Sequence, residues 1–418
     1  MATAVGVTVT GMEFVAPLGL SLDEAWPRAV RGESGIGPLR RFDATGRACR
    51  TSGEVAPFDL APLLRSPKNE KFMSQSVRCA MRAAAGAVAA SGLAPGSVDP
   101  SRVALYIGSG QTGLESADFF DALEVAWTGD EERDFANLGG RAARLLDRYF
   151  SLRTLANAGL GLVSAELGAK GPSDNFVQGE TASAQAIAAG VHDLTEGRAD
   201  VAIVGGYDSL LDVSTYLAYE AAGLLSSAGP EEAHRPFDRQ RDGVVPAEGA
   251  AFLVLERAQD ARRREAPVLG EVGGAGLAMD LGEEPSEGAM RRAVEEATGG
   301  APPDFVVARG IGTGEGDRRE ASHLRAVFGA SMPVTAFKGL TGYLGAATAA
   351  AELCLALRAL TCRRVPPVAR HAAADPECSL DLVTGSPRPL VGERPGAVCL
   401  SRSWLGQCAA LVARAPDA

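Results

Sequence analysis

The residues best placed for chemistry in this chain lie where GPSDNFVQGETASAQAIAAG, residues 171–190, passes from an extended segment into an Ala-rich helical pattern. Glu180 and Thr181 stand at that junction, directly after Gln178 and Gly179. A side chain there meets unpaired backbone N–H groups and the positive end of the helix dipole. Such a junction suits a thiolate nucleophile, because the dipole lowers a thiol's pKa. Here it holds a carboxylate. The cysteines, at 49, 79, 354, 362, 378, 399 and 408, form no CxxC pair and no metal-ligand spacing, so they read as free thiols and no metal is expected. The histidines, at 192, 234, 323 and 371, fall in packing or surface contexts, with His323 inside a predicted helix. GSGQTG and GIGTGEG are glycine-rich but lack the surrounding pattern of a phosphate loop, so no cofactor is expected either.

Positioning these residues calls for a framework of alternating strands and helices. In the first half, strands are predicted at 5–10, 103–108, 201–206 and 250–256, and helices at 21–31, 74–91, 155–167 and 216–222. Ser21 followed by Glu24 gives the first helix a capping box, and two further helices around an acidic turn are expected over 113–150. The run ARRREA at 261–266 reads as a solvated linker, dividing the chain into halves 1–260 and 261–418. The second half repeats the style, with strands near 268–276, 304–308, 333–336, 380–384, 396–401 and 409–414. Its helices are predicted at 287–298, 318–328 and 344–360. Two Ala-rich, nearly all-apolar helices imply layers in which helices are sandwiched between sheets. A length of 418 residues also favours two packed halves over one domain. A net charge of −11 argues against nucleic acid or an anionic membrane as partner. No stretch reaches transmembrane length and the N-terminus carries no targeting pattern, so a cytoplasmic protein is expected.

Four segments together resemble the β-ketoacyl synthase family. GPSDNFVQGETASAQAI is similar to the family's nucleophile segment, and RPFDRQRDGVVPAEGAAFLVLERA (235–258) to its RPFD–RDG block. ARGIGTGEGDRREASHLRAVFG (308–329) resembles the first catalytic-histidine loop, and AFKGLTGYLGAATAAAE (336–352) the lysine and second-histidine loop. The resemblance covers almost the whole chain. It implies a five-layered α-β-α-β-α, thiolase-like α/β fold made of two related halves. It also implies that the nucleophilic Cys position is Glu180, the first catalytic His position Arg309 and the second Tyr343, with the lysine kept as Lys338. Asp317 and Glu320 would be that lysine's structural companions. The C-terminal gate reads LSRSWLG (400–406), with Arg402 at the gating phenylalanine and Trp404 beside it.

Condensation needs a thiolate to carry the acyl chain, and decarboxylating the extender needs neutral histidines at the developing enolate. With those identities lost, the resemblance points to the chain-length-factor subgroup. Its members heterodimerise with an active ketosynthase, shape the polyketide tunnel and meet the acyl carrier protein indirectly. That subgroup usually carries Gln where this chain has Glu180. Pairing would run along an edge strand at 174–178, and an acidic chain would be the half that does not dock the carrier. The alternatives are a malonyl-carrier-protein decarboxylase, a repurposed acyl-site enzyme using Glu180 as base, and a homodimeric scaffold. A carboxylate flanked by arginine and lysine makes a poor base. Glu180 is expected in a buried pair with Arg309 supported by Lys338, the other possibility being a carboxylate bonded to backbone amides at the helix start. Tunnel-plugging positions would fall at Thr112, Glu115 and Phe119. Phe119, Phe120, Leu123 and Trp127 equally suit an ordinary core stripe at helical spacing.

Overall fold

The computed structural model describes residues 6–94, 96–110, 118–280 and 287–417. Its strands are β1 (Val7–Val15), β2 (Val103–Ser109), β3 (Ser173–Phe176), β4 (Val201–Ser209), β5 (Glu248–Arg257), β6 (Gly270–Met279), β7 (Phe305–Val307), β8 (Pro333–Thr335), β9 (Asp381–Leu382), β10 (Gly396–Arg402) and β11 (Gln407–Arg414). They form one eleven-stranded sheet in the order β9-β8-β7-β10-β11-β6-β1-β5-β4-β2-β3. The order β3-β2-β4-β5-β1 reappears as β8-β7-β10-β11-β6, with two parallel pairings followed by two antiparallel ones in each case. The first strands of the two sets join antiparallel over Val7–Val9, opposite Gly270–Val272. Two short ribbons pair 37–38 with 51–52 and 364–365 with 388–389.

Helices Ala182–Thr195 and Thr348–Cys362 occupy equivalent places in the two strand sets and pack on each other, each touching strands from both sets. Small residues let them do so. A Cβ on Gly190 would stand 2.4 Å from Val204 Cγ1, and nearly every residue of Thr348–Leu360 is buried. This is why both helices are Ala-rich: sheets on both sides leave no polar face. The helix Gly345–Cys362 is long and apolar enough to cross a membrane, yet 83% of it is buried inside the fold. Outside this central layer, helix Gln75–Ala90 covers β1 and β5 on one side, and helices Glu287–Thr298 and Gly314–Phe328 close the other side. The result is the thiolase-like α/β layering.

One expectation is met only in part and another needs correction. The run at 261–266 exposes Arg262, Arg263 and Glu265, as a solvated linker would, but it is not free of the fold. Helix Ala258–Arg263 buries Ala261, and Arg264 turns inward, Nη2 donating to Glu256 Oε1 (2.5 Å) and Ser91 O (2.8 Å). Nor do Phe119, Phe120, Leu123 and Trp127 form a core stripe. Phe119 is half-buried against Phe120 and Phe150, with ring centroids 5.0 and 6.2 Å away, but Phe120 and Leu123 are 42% exposed and Trp127 is 79% exposed. Their helix, Phe120–Ala126, buries only Ala122 and Ala126, so it lies on the rim. Thr112 and Glu115 fall outside the described residues.

Candidate functional site

Glu180 sits in a 3-10 turn, Gly179–Thr181, that leads into helix Ala182–Thr195. Gly179 has φ +57°, a left-handed conformation that glycine adopts without strain, and it swings the chain from β3 into the helix with the Glu180 side chain aimed inward. The carboxylate does not cap the helix. It is fully buried and faces two cations. Arg309 Nε donates to its Oε2 at 2.7 Å, and Lys338 Nζ lies 2.8 Å from Oε1, at an angle too poor for a directed hydrogen bond. Lys338 Nζ donates instead to Arg309 O (2.6 Å) and to Glu352 Oε1 (2.9 Å). Glu180 comes from the turn that leads into the central helix, Arg309 from the loop after β7, and Lys338 from the short helix Lys338–Thr341 after β8. Glu352 comes from helix Thr348–Cys362.

The second rank braces this cluster. Glu320 accepts from the backbone N–H of Arg309 (2.6 Å) and Gly310 (2.8 Å), while Asp317 accepts from Phe237 N and Gly312 N. Both therefore hold the loop whose Arg309 O accepts from Lys338, supporting the lysine indirectly, while Glu352 is its direct hydrogen-bond partner. Burial pushes the Glu352 carboxyl up to about 8, Lys338 opposing this and Glu180 adding to it. Burial likewise lifts Glu320 to about 7, with Asp317 beside it. Burial works against the charge on Lys338, but Glu180 and Glu352 outweigh it and raise its pKa. Arg309 is also burdened by burial, and Glu180 keeps it firmly protonated. Arg309 Nη2 and Glu352 Oε2 are left buried without hydrogen-bond partners.

Aromatic rings close the outer side. Gly342, at φ +75°, turns the chain so that Tyr343 N–H donates to Val245 O at 2.9 Å, and the Tyr343 ring is buried. Burial, with Glu180 nearby, carries the Tyr343 hydroxyl pKa well up. Tyr219 lies against Tyr343 and meets Trp404 edge-on, each at 6.4 Å between centroids. The Trp404 ring covers the Arg309 guanidinium at 4.8 Å. Arg402, half-buried at the end of β10, lines a cleft of about 520 Å³ that Arg309, Glu320 and Trp404 also line. Thus Glu180, Arg309, Lys338 and Tyr343 come together, Trp404 covers the Arg309 guanidinium, and Arg402 lines the adjoining cleft without an ion pair to the cluster. Phe119 is not part of this cluster. His234 is buried elsewhere, its Nδ1 accepting from Val245 N (3.2 Å), and burial with Lys338 nearby lowers its pKa to about 3.

Glu352 and Tyr219 escaped the sequence reading. Glu352 had a signal: it is the lone carboxylate in the otherwise uncharged stretch 339–357, and a charge on an all-buried helix must find a partner. Tyr219 had none, since helix Val213–Ala221 meets the gate only through the fold. Chemically, the cluster is a filled site. The carboxylate cannot carry an acyl group as a thioester would, and each of its oxygens faces a cation. Cys399, which donates to Glu352 O at 3.9 Å, offers no thiolate, because burial pushes its pKa well up.

The chain matches the model of the β-ketoacyl synthase N-terminal domain over residues 5–261 and that of the C-terminal domain over 274–371. It is 33% identical to the tetracenomycin polyketide synthase ketoacyl synthase beta subunit of Streptomyces glaucescens, covering 99% of each chain. It is 30% identical to a 3-oxoacyl-[acyl-carrier-protein] synthase 2 of Synechocystis, covering 95% of this chain and 94% of the relative. Among solved structures, the ishigamide ketosynthase/chain length factor superposes with a TM-score of 0.87 at 25% identity, over 99% of this chain and all of the other. The chain belongs to the β-ketoacyl synthase family. Identity to a relative named as a beta subunit and to one named as a synthase is nearly equal, so similarity alone does not separate the two roles.

Proposed function

We propose that this chain is a catalytically impaired ketosynthase-like subunit of the chain-length-factor type, which pairs with an active ketosynthase and shapes the tunnel that receives the growing polyketide. The observation that carries this reading is the Glu180 carboxylate buried between Arg309 and Lys338 at the nucleophile position. A buried ion cluster cannot turn over acyl groups without first stranding a charge. The surface suits a protein partner. β3 ends the sheet with one edge free, and Asn175 Nδ2 on it donates to Ser109 Oγ, which in turn donates to Ala156 O. Separately, the helical stretch 120–138 exposes Phe120, Leu123, Trp127 and Phe135. An open sheet edge and apolar exposure on this scale each favour burial by another chain. On this reading residues 1–260 and 261–418 act as two related halves of one body, and Phe119 contributes to the tunnel end.

The decarboxylase alternative needs two free donors at an enolate oxygen. Here Arg309 gives its Nε to Glu180 and lies under Trp404, so its unpartnered Nη2 would have to serve without the pair of free donors that chemistry needs. The general-base alternative fails on the two cations. Co-expression with an active ketosynthase of the same synthase should give a one-to-one heterodimer by native mass spectrometry. The purified chain alone should neither elongate an acyl thioester nor release acetyl thioester from malonyl-carrier protein. Elongation by the lone chain would refute the proposal, and acetyl release by a homodimer would favour the decarboxylase.

A further inference from the structure

The cleft of about 520 Å³ beside the filled site combines an apolar wall with an unmatched cation. Helix Glu287–Thr298 contributes Met290 to that wall, helix Gly314–Phe328 contributes Leu324, Val327 and Phe328, and β10 contributes Leu400. Arg402 stands half-buried at the end of the same strand. Among the described residues its side chain makes no ion pair and no hydrogen bond. Burial lowers the Arg402 pKa, with Arg309 and Arg319 adding to the effect, while Cys408 and Asp280 act the other way. Burial also raises the pKa of Cys408, so that thiol brings no negative charge to the cleft. An arginine stays protonated in a protein even so, and a cation held against apolar side chains is costly until an anion meets it.

The carboxylates on the wall are already engaged. Glu315 accepts from Arg318 Nη2 at 2.6 Å and from Arg319 Nε at 2.5 Å. Glu320 accepts the Arg309 N–H on one oxygen and the Gly310 N–H on the other. What is left over is donor capacity. Arg309, which also lines the cleft, gives Nε to Glu180 and keeps Nη2 buried without a partner.

We infer that this cleft binds a free carboxylic acid with an apolar body, its carboxylate on the Arg402 guanidinium and its body against Leu324, Val327 and Phe328. The planar fork of an arginine matches a carboxylate through two parallel hydrogen bonds. Small-molecule sites typically enclose about 300–1,000 Å³ and pair a mostly apolar lining with a few placed polar groups, and this cleft has both features. A phosphate dianion fits worse, because its second charge would stand against the apolar wall. The site is complete within this chain and does not depend on the subunit reading.

The test is isothermal titration calorimetry of the purified chain with sodium octanoate, and with 1-octanol as the uncharged control. Octanoate should bind at one site, at least about tenfold tighter than octanol. Arg402→Met keeps an apolar stem and removes the charge; it should weaken octanoate about tenfold and leave octanol within about twofold. Val327→Trp fills the cleft and should abolish binding of both. Arg364→Met, at an exposed arginine elsewhere in the second half, should bind octanoate like wild type. Octanol binding as tightly as octanoate overturns the inference, as does unchanged octanoate affinity in Arg402→Met or an equal loss in Arg364→Met. Inorganic phosphate binding more tightly than octanoate overturns the assignment to a carboxylate. If Arg402→Met does not fold, the comparison of octanoate with octanol on the wild-type chain decides. 2-Naphthoate run beside octanoate separates two sources of such an acid: tighter naphthoate binding upholds the site for fused-ring acids, and tighter octanoate binding upholds it for straight acyl chains.

Discussion

Replacing Glu180 by Gln keeps the shape of the side chain and removes its charge. Arg309 Nε and Lys338 Nζ then lose the carboxylate that both face in a fully buried position. Breaking a buried pair by removing one member costs about 3–5 kcal/mol, because the surviving charge cannot be rehydrated. With an unfolding entropy of about 2.1 cal/mol/K per residue, a chain of this length changes by roughly 0.9 kcal/mol/K, so the loss corresponds to a Tm drop of about 3–6 °C. Glu352 cushions the change. Its proton is held partly by the Glu180 charge, so removing that charge lets Glu352 ionise and take over Lys338. Glu180→Gln should therefore fall at the lower end of the range. The double variant Glu180→Gln, Glu352→Gln should lose more than the sum of the single losses, by about 0.5–3 kcal/mol. Calorimetry and urea unfolding of the four proteins at pH 7 measure both quantities. A Glu180→Gln Tm equal to wild type, together with strict additivity, would refute the coupled cluster.

Three further outcomes are expected. Glu352 and Glu320 titrate near 8 and 7 in the folded state against an ordinary 4.5, so the fold retains protons that the unfolded chain releases between those values. Stability should fall as pH rises from about 5 to 8, by up to about 1.4 kcal/mol per pH unit for each group. Glu352→Gln mimics the protonated form and should flatten that slope; an unchanged slope in a Tm-versus-pH series counts against it. Trp404→Ala removes a cation–π contact worth about 0.5–2 kcal/mol and should lower Tm by about 1–2 °C, with Trp404→Phe retaining most of it. An alanine variant as stable as wild type would mean that the stack contributes nothing. Phe119→Ala in the assembled synthase should lengthen the products if this ring ends the tunnel, and an identical product profile by mass spectrometry would remove it from that role.

Much of the framework was legible in the chain because its signals are local. Alternating and Ala-rich runs give strands and sandwiched helices their period, and the strand sets around β2–β5 and β7–β11 follow from those runs. The reading that Glu180, Arg309 and Tyr343 stand where the family carries its nucleophile and histidines likewise rests on residue identity at fixed spacing. What only the tertiary structure decided is where charges and rings meet across distant segments. Lys338 pairs with Glu352 because two layers press the lysine loop against the central helix, and no periodicity encodes that approach. Trp404 covers Arg309 because the β10–β11 turn folds over the loop after β7. Phe120 and Trp127 carry a helical apolar pattern yet face outward, for the sequence records that a side chain avoids water but not which surface, its own or a partner's, will remove it from water.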